Sequence, residues 1–460
     1  MPVNSRMVNS RIATSKTMNS KIATSKTKTR RTIGKEPAPK DVLRILEGSA
    51  QTRFVNTLAD RGATDLAAVE PAVRRIVKDV QQNGNRALRR YAARLDGLHT
   101  GQPLRVPDDE LHAAWENSDP ELQRAIEQAA NNIRRFAEWQ ASPALAEWTR
   151  EIQPGITVGQ FVRPLESVGC YVPGGRYPLP STLLMTVIPA QVAGVQQIRV
   201  ASPRPAPATL AAAAFLGVHE FYRVGGAQAI AALAYGTEEI PRVDKIVGPG
   251  NRYVTAAKKM VAFDCAIEFL AGPTEALIIS ENGDPACISS DLVAQAEHDP
   301  DALCVFITPS RALARSVQKD VQKRARSNPI AARALARRGA ILLADSMGHA
   351  VQISNRMAPE HLTIPAALAP SVQNAGSVFL DEFTPQAAGD YISGPNHVLP
   401  TAGMARIRGG LSVLDFVRII SCQQISRAGI HNIATAGITL ATAEGLQGHA
   451  EAFRVRSSRA

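Results

Sequence analysis

Four of the nine histidines, at position 298 and beyond, lie in polar segments, where packing does not require a histidine. Each is near other side chains that bind metals or carry protons, and the segments are Gln295-Ala-Glu-His298, Pro359-Glu360-His361-Leu362, Gly389-Asp390-Tyr391 followed by Gly394-Pro-Asn-His397, and Glu444 with His449. Imidazole, carboxylate and carboxamide ligands without a thiolate suit zinc or manganese in an exchangeable, substrate-facing site. The set indicates a metal-dependent enzyme, either a hydrolase or a dehydrogenase. The alternative is that each histidine is a surface or capping residue.

The spacing within two of these segments is informative. Gln295 and His298 are three residues apart in a stretch with helical character, so they lie on one face and can share one ion. Glu360 and His361 are adjacent at the start of an apolar run that reads as a strand. An adjacent carboxylate and imidazole are a compact source of two proton-transfer groups.

Three glycine-containing loops follow apolar runs that read as strands: Val172-Pro-Gly-Gly-Arg176, Val224-Gly-Gly-Ala-Gln228 and Val247-Gly-Pro-Gly-Asn-Arg-Tyr253. Ligands of open parallel sheets bind at such loops, and glycine lets backbone N–H groups approach them. None matches the dinucleotide fingerprint, because Gly248-x-Gly250-x-x-Tyr253 lacks the third glycine. Tight turns therefore explain these loops as well as a phosphate cradle does, and no Walker-type loop occurs.

The elements that must position these residues alternate between strands and helices after Pro154. The predicted strands are Ile198 to Ala201, Phe221 to Val224, Lys245 to Val247, Ala276 to Ser280, Leu303 to Thr308, Ala340 to Ala344 and Ser377 to Leu380. The predicted helices include Ala227 to Ala234, Val254 to Val261, Ile288 to His298 and Ala312 to Arg326. The alternation predicts an α/β protein with two parallel sheets covered by helices. Residues 41 to about 140 read as N-terminal helices, and the segment after Gly409 reads as a small helical tail.

Composition and charge exclude several classes. The chain has 460 residues, of which 45% are hydrophobic and 20% charged, as in ordinary globular proteins of more than one domain. The net charge of +11 suggests a polyanionic partner. However, residues 1–35 hold nine basic residues and no acidic one, so residues 36–460 carry only 43 basic against 41 acidic residues. The leader has few apolar residues and reads as disordered. It is a nucleic-acid arm, an organelle-targeting peptide or non-functional upstream sequence.

Neither a membrane span nor a disulfide framework is expected. The longest uncharged run, Tyr177 to Ile198, contains three prolines and three glutamines, which is unlike a spanning helix. Five cysteines without a Cys-x-x-Cys pair argue against disulfides and for a reducing compartment. Cys170, beside a glycine loop, is a candidate nucleophile, but no histidine or basic partner stands nearby in the sequence.

From about Asp41 to Arg456 the chain resembles the histidinol dehydrogenase family. The segments that carry the resemblance occur in the family's order and are Tyr171-Val-Pro-Gly-Gly175, Gly225-Gly-Ala-Gln228, Gly248-Pro-Gly-Asn251, Ala271-Gly-Pro-Thr-Glu275, Gln295-Ala-Glu-His298, Pro359-Glu-His361, Gly389-Asp390-Tyr391 and Asn396-His-Val-Leu-Pro400. The first forty residues lie outside the family pattern.

The resemblance implies a particular architecture. It consists of two incomplete Rossmann-like parallel-sheet domains with N-terminal helices and a small helical C-terminal domain. The implied extents are a disordered basic leader (1–40), a first α/β domain (41–170 and 275–408), a second (171–274) and the C-terminal domain (409–460). The family forms an intertwined homodimer in the cytoplasm, with no membrane or nucleic-acid partner. An organellar address in residues 1–35 is the alternative location.

The resemblance also implies the chemistry, which is a four-electron oxidation of L-histidinol through L-histidinal to L-histidine with two NAD+. One Zn2+ per subunit, or Mn2+, falls on Gln295, His298, Asp390 and His449, and these ligands also contact the substrate. His361 matches the general base, and Glu360 matches the residue that activates water to hydrate the aldehyde. The remaining substrate positions are Thr274, His397 and Glu444, and the NAD contacts are Tyr171, Gln228 and Asn251. In the homodimer, Glu444 and His449 are expected to complete the partner's site.

Three alternatives stay open at this point. A sister dehydrogenase on the same scaffold would oxidise another small polyol or a sulfonated alcohol, since a change of substrate needs only a few pocket changes. A zinc hydrolase would activate water without forming NADH. A nucleic-acid-binding protein rests only on the basic leader.

Overall fold

The computed structural model describes residues 42–61, 66–174 and 177–459, which belong to one compact unit. The leader, Asp41, Gly175 and Arg176 lie outside the described residues. The strands are β1 Arg44–Leu46, β2 Trp148–Gln153, β3 Ile156–Pro164, β4 Ser167–Tyr171, β5 Gln197–Ala201, β6 Glu220–Tyr222, β7 Lys245–Val247, β8 Ala266–Ile267, β9 Glu275–Ile279, β10 Leu303–Thr308, β11 Ala340–Leu343, β12 His361–Ile364, β13 Ser377–Leu380 and β14 Val417–Ile425.

The helices occur mostly between these strands. They are α1 Gly48–Ala59, α2 Glu70–Tyr91, α3 Asp108–Glu116, α4 Pro120–Ala144, α5 Pro180–Ala193, α6 Pro207–Phe215, α7 Gly226–Tyr235, α8 Arg252–Val261, α9 Pro285–Ala296, α10 Arg311–Arg324, α11 Pro329–Arg338, α12 Met347–Met357, α13 Gln386–Tyr391, α14 Arg427–Ala443 and α15 Gln447–Ser457. All seven predicted strands and the four named helices are present, and the α/β fold class is confirmed.

Two parallel sheets organise the described residues. One has six strands in the order β1-β11-β10-β9-β12-β13, and the other has five in the order β6-β5-β4-β7-β8. A third, antiparallel sheet has the order β14-β3-β2. Parallel strands need crossover connections, and helices supply them here.

Both faces of the six-stranded sheet are buried. Successive side chains of a strand point to opposite faces, so Ala276 and Ile278 of β9 join one core cluster while Leu277 and Ile279 join another. Each cluster also contains helix residues, from α9 to α11 on one face and from α1 and α12 on the other. This explains why the central strands read as continuous apolar runs.

The five-stranded sheet extends further toward the N-terminus than the implied domain boundary after residue 170. β4 is hydrogen-bonded between β5 and β7, and all five of its residues are buried. Helices α2 and α4 also contribute to the two core clusters of this sheet, although residues 41–170 were assigned to the other α/β domain. Their apolar stripes pack on α5, α7 and α8, which fixes them to the five-stranded sheet.

The C-terminal segment is not purely helical. After a short 3-10 helix, Val413–Phe416, it forms β14, which pairs along its whole length with β3, and only then α14 and α15. The longest uncharged run forms the buried helix α5, and no described helix is long and apolar enough to cross a membrane.

The cysteines are unpaired thiols. Cys170 lies inside β4, and burial raises the pKa of its thiol to about 12. A thiol with this pKa stays protonated near neutral pH, so Cys170 acts as a small core residue rather than as a nucleophile.

Candidate active site

A cavity of about 520 Å3 lies where the two parallel sheets meet. The five-stranded sheet contributes residues 249–253, which follow the carboxyl end of β7. The six-stranded sheet contributes Thr274 and Glu360, which precede the amino ends of β9 and β12. Helices α9 and α13 return toward that amino edge and bring Gln295 and Asp390 to the same wall. The carboxyl edge of one sheet therefore faces the amino edge of the other.

Glu360 and His361 lie side by side in this cavity, where β12 begins as predicted. Glu360 Oε2 accepts hydrogen bonds from the Glu275 N–H at 2.7 Å and from Thr274 Oγ1 at 2.8 Å. His361 Nδ1 lies 3.2 Å from the Glu275 carbonyl oxygen. Because a carbonyl can only accept, the neutral ring carries its proton on Nδ1. The lone pair is then on Nε2, which is buried, lacks a hydrogen-bond partner among the described residues and lies 3.6 Å from Asp390 Oδ1.

Burial and mutual charge shift the pKa of both members of this pair. Burial raises the pKa of Glu360 to about 7, against the opposing effect of the neighbouring His361. Burial alone lowers the pKa of His361, but the carboxylates of Glu360 and Asp390 outweigh it and raise that pKa to about 9. Groups that exchange protons near neutral pH need pKa values close to it. Glu360 meets this condition near pH 7, whereas His361 becomes a base as the pH rises toward 9.

Gln295, His298 and Asp390 lie together on one side of the cavity. Gln295 is in the last turn of α9, which ends at Ala296, and His298 lies in the turn that follows rather than on the helix as predicted. Gln295 Nε2 donates to Asp390 Oδ2 at 3.3 Å. Burial raises the pKa of Asp390, but the imidazoles of His361, His397 and His298 together outweigh it and lower that pKa, so the carboxylate is ionised. The three side chains offer a carboxamide, an imidazole and a carboxylate, which are suitable donors for zinc.

Thr274 and His397 also line the cavity. Thr274 Oγ1 lies 3.3 Å from Gln295 Oε1, in addition to its bond to Glu360. His397 Nδ1 donates to the Asp390 carbonyl at 2.7 Å, and its Nε2 lies 3.2 Å from Thr182 Oγ1. Burial lowers the pKa of His397, so the ring is neutral and holds the backbone of Asp390 in place.

Glu444 and His449 do not reach this cavity within the chain. Glu444 follows the last residue of α14, His449 is in α15, and both side chains are exposed. Among the described residues, only Asp284, Cys287 and Glu382 form a group of three His, Cys, Asp or Glu side chains with ligand atoms within 4.8 Å, and all three are exposed. His298, Asp390 and His449 thus form no such group within one chain.

The three predicted NAD contacts differ in their surroundings. Asn251 lies at the cavity, where its side chain accepts from Tyr253 N–H and Val254 N–H at the start of α8. Tyr171 and Gln228 are only 3% and 1% exposed. Tyr171 Oη accepts from the Gly226 N–H at 3.1 Å, and Gln228 Nε2 donates to Asp96 at 2.9 Å. Tyr171 and Gln228 therefore support the glycine loops from the buried side.

A buried ion pair holds the loop after β7. Gly248 has φ +112°, and a side chain there would meet the Tyr171 carbonyl oxygen at 2.1 Å, so only glycine fits. Glu268 Oε1 accepts from the Gly248 N–H at 2.9 Å, while Lys258 Nζ donates to the Gly248 carbonyl at 3.0 Å and to Glu268 at 2.5 Å. Both peptide groups of Gly248 are therefore clamped beneath the cavity wall.

Lys258→Met is expected to lower the free energy of unfolding by about 3–5 kcal/mol, because it leaves the Glu268 carboxylate buried without its counter-ion. Urea denaturation followed by circular dichroism measures the change. The matched control is Arg74→Met, which removes an exposed pair with Glu70 and should cost about 0.5 kcal/mol or less. Equal losses in the two variants would show that the clamp contributes no more than a surface pair.

Sequence reasoning missed the residues that support the loops. Asp96, from the end of the N-terminal helices, accepts the Gly225 N–H at 3.0 Å and also holds Gln228. Lys258 and Glu268 occupy positions without a recognisable motif. The available signal was weak and consists of charged residues within or beside apolar segments, where a charge must be paired.

The chain is similar to known proteins over most of its length. The sequence profile described as histidinol dehydrogenase matches residues 59–457. Histidinol dehydrogenase of Methanothermobacter thermautotrophicus is 46% identical over 88% of this chain and 97% of its own length. That of Aquifex aeolicus is 43% identical over 87% of this chain and 95% of its own length. The crystal structure of histidinol dehydrogenase from Elizabethkingia anophelis superimposes with a TM-score of 0.86 at 34% identity, covering 91% of this chain and 99% of that one. With the family's motifs gathered around one cavity and its sequence and fold matched over nearly the whole length, this chain belongs to the histidinol dehydrogenase family.

Proposed function

We propose that this chain oxidises L-histidinol to L-histidine through L-histidinal, with zinc and two NAD+. Family membership already makes it an oxidoreductase of histidine biosynthesis, and the proposal adds the cofactors and the roles of individual residues. The observation that carries it is the buried Glu360–His361 pair beside Gln295 and Asp390 in one cavity.

In the first oxidation, His361 acts as the base. In the unprotonated ring, Nε2 carries the lone pair and lies on the side of Asp390, so this form can take the proton of the substrate hydroxyl as hydride leaves the same carbon. NAD+, when bound, supplies the hydride acceptor. The resulting imidazolium is stabilised by the carboxylates of Glu360 and Asp390, which also raise its pKa.

In the second oxidation, Glu360 activates water as a general base. Its carboxylate is held by the Glu275 N–H and Thr274 Oγ1 and has a pKa near neutrality, so it can remove a proton from water that adds to the aldehyde carbon. The hydrated aldehyde then has a hydrogen on that carbon, which leaves as the second hydride while the carboxylic acid forms. Enclosure of the aldehyde in the cavity between the two steps limits its escape.

The donors on the cavity wall fit a zinc ion. Gln295 and Asp390 approach each other at 3.3 Å and His298 lies on the same wall, so two oxygen donors and one imidazole come from one chain. Gln295, His298 and Asp390 would hold the ion, and its role when bound is to orient the substrate alcohol. His397 holds the backbone carbonyl of Asp390 and lines the cavity, where it would contact the substrate.

A homodimer would supply the remaining groups. Glu444 and His449 are exposed on the C-terminal segment, which is available to reach the cavity of a second copy of the chain. The exposed apolar residues of β14 and of the chain after it, including Ile419, Ile420, Leu440 and Leu446, support burial of this segment in an interface. His449 would then complete the zinc ligands, and the Glu444 carboxylate would bind the substrate ammonium. Asn251 is the proposed NAD contact at the cavity surface.

The decisive experiment counts NADH formed per L-histidinol, with and without a chelator. Two NADH for each substrate molecule, lost on chelation and recovered with added zinc, are expected. Turnover that survives complete removal of metal would contradict the role of zinc. Lack of NADH from L-histidinol, with NADH formed from another small alcohol, would favour a sister dehydrogenase, and product formation without NADH would favour a hydrolase.

A further inference from the structure

We propose that Arg61 and Glu275 form a positioning pair that fixes the relative geometry of Glu360 and His361. Neither side chain lines the cavity, so the pair acts through the residues that it holds. The inference rests on the proposed function, because it takes Glu360 and His361 as the groups that move protons. It adds two positioning residues, one of them about 300 positions before that pair in the chain.

The backbone of Glu275 contacts both proton-transfer residues at once. Its N–H donates to Glu360 Oε2 at 2.7 Å, and its carbonyl oxygen accepts from His361 Nδ1 at 3.2 Å. A displacement of this single residue therefore moves the carboxylate and the imidazole together. It would also break the hydrogen bond from His361 Nδ1 to the Glu275 carbonyl. That hydrogen bond fixes the tautomer in which Nε2 carries the lone pair.

The side chain of Glu275 accepts three hydrogen bonds from two residues. Glu275 is 4% exposed, and its carboxylate accepts two parallel hydrogen bonds from Arg61, Nε to Oε1 at 2.8 Å and Nη2 to Oε2 at 2.6 Å. The Ala402 N–H adds a third at 3.1 Å. A bidentate guanidinium fixes the plane of a carboxylate as well as its distance, and a lysine cannot reproduce this geometry.

Arg61 also holds the turn that leads to Glu360. Its Nη1 donates to the Met357 carbonyl at 2.7 Å, and its Nη2 lies 3.4 Å from the Ala358 carbonyl. Ala358 directly follows helix α12 and has φ +49°, a left-handed conformation that non-glycine residues rarely adopt. The strained residue stands two positions before Glu360, so Arg61 stabilises the backbone path that delivers the carboxylate. One guanidinium thus anchors both strands that carry the site.

A purely structural ion pair makes a different prediction. Loss of such a pair would reduce the amount of folded protein but leave each folded molecule with its normal turnover. A positioning pair instead lowers kcat of the folded enzyme, because a displacement of about 1 Å at reacting groups costs on the order of 10²-fold in rate. The KM for NAD+ should stay unchanged, since the proposed cofactor contact Asn251 lies on the other sheet.

The test compares four variants of the full-length enzyme by kcat and KM, normalised to folded protein by circular dichroism. Arg61→Met is expected to lose on the order of 10²-fold in kcat, and Arg61→Lys should lose less. Arg61→Met combined with Glu275→Gln removes both charges and protects folding, yet should keep the kcat defect. The matched control is Arg89→Met, which removes a bidentate pair with Glu239 away from the cavity and should keep wild-type kcat.

A second readout does not depend on turnover. In 15N-histidine-labelled protein, the ring resonances of His361, assigned with His361→Asn, should shift in Arg61→Met and in the double variant but not in Arg89→Met. Wild-type kcat and unshifted His361 resonances in Arg61→Lys and the double variant would overturn the proposal. If the wild-type protein fails to oxidise L-histidinol, the proposed function fails, while the His361 resonances still decide whether Arg61 positions the ring.

Discussion

His361→Asn is expected to lower kcat for L-histidinol oxidation by about 10²–10⁴-fold, the usual contribution of a positioned proton acceptor. The asparagine amide can still donate to the Glu275 carbonyl, but it has no basic nitrogen in the place of Nε2. The loss should therefore fall on kcat, with the fold and the binding of NAD+ preserved. Stopped-flow detection of the first NADH measures it directly.

The dependence of the oxidation rate on pH provides a second test of this prediction. The base form of His361 is the unprotonated ring, and the neighbouring carboxylates raise its pKa to about 9. The wild-type rate of alcohol oxidation should therefore increase with pH toward that value, and this rising limb should be absent in His361→Asn. The control is His349→Asn, which changes a partly exposed histidine on α12 outside the cavity. An equal loss in both variants would contradict a base role for His361.

Glu360→Gln is expected to have the second largest effect, a loss of about 10²–10⁴-fold in the oxidation of supplied L-histidinal. Glutamine has nearly the same shape, and its carbonyl oxygen can still accept the Glu275 N–H and the Thr274 hydroxyl. It cannot take a proton from water. With L-histidinol as substrate the variant should therefore stop near one NADH per molecule and accumulate aldehyde.

The measurements are single-turnover NADH formation from each substrate and trapping of released aldehyde. Glu382→Gln is the matched control, because Glu382 is an exposed carboxylate outside the cavity. Aldehyde oxidation at the wild-type rate in Glu360→Gln would remove Glu360 from the second step. An equal loss in both oxidations would instead indicate that Glu360 acts mainly through His361, 3.7 Å away.

The elements of the fold followed from local pattern. The β9 and β10 strands were recognisable because side chains buried on both faces of a sheet leave an unbroken apolar run. Helices α7 and α8 followed from their spacing and the glycine loops before them. The seven predicted strands required no knowledge of the partner of any strand. β4 was missed as part of the five-stranded sheet because sheet membership depends on pairing with strands far away in the chain.

The residue types at the site were likewise readable along the chain. Glu360 next to His361 predicted proton transfer, and Gln295 with His298 predicted a metal site, since these chemistries depend on side-chain identity at short spacing; both stay predictions. The end of α9 before His298 was not foreseen, because helix ends depend on capping and on what packs there.

Tertiary structure alone decided how these groups work together. It set the carboxyl edge of one sheet against the amino edge of the other, and it brought Asp390 within 3.6 Å of His361. It also placed Arg61 on Glu275, a contact between residues 214 positions apart. Local periodicity in the sequence indicates which side of each helix or strand is buried. Distances between elements, and the pKa values that depend on them, arise only when separate segments pack together and exclude water from a common interior.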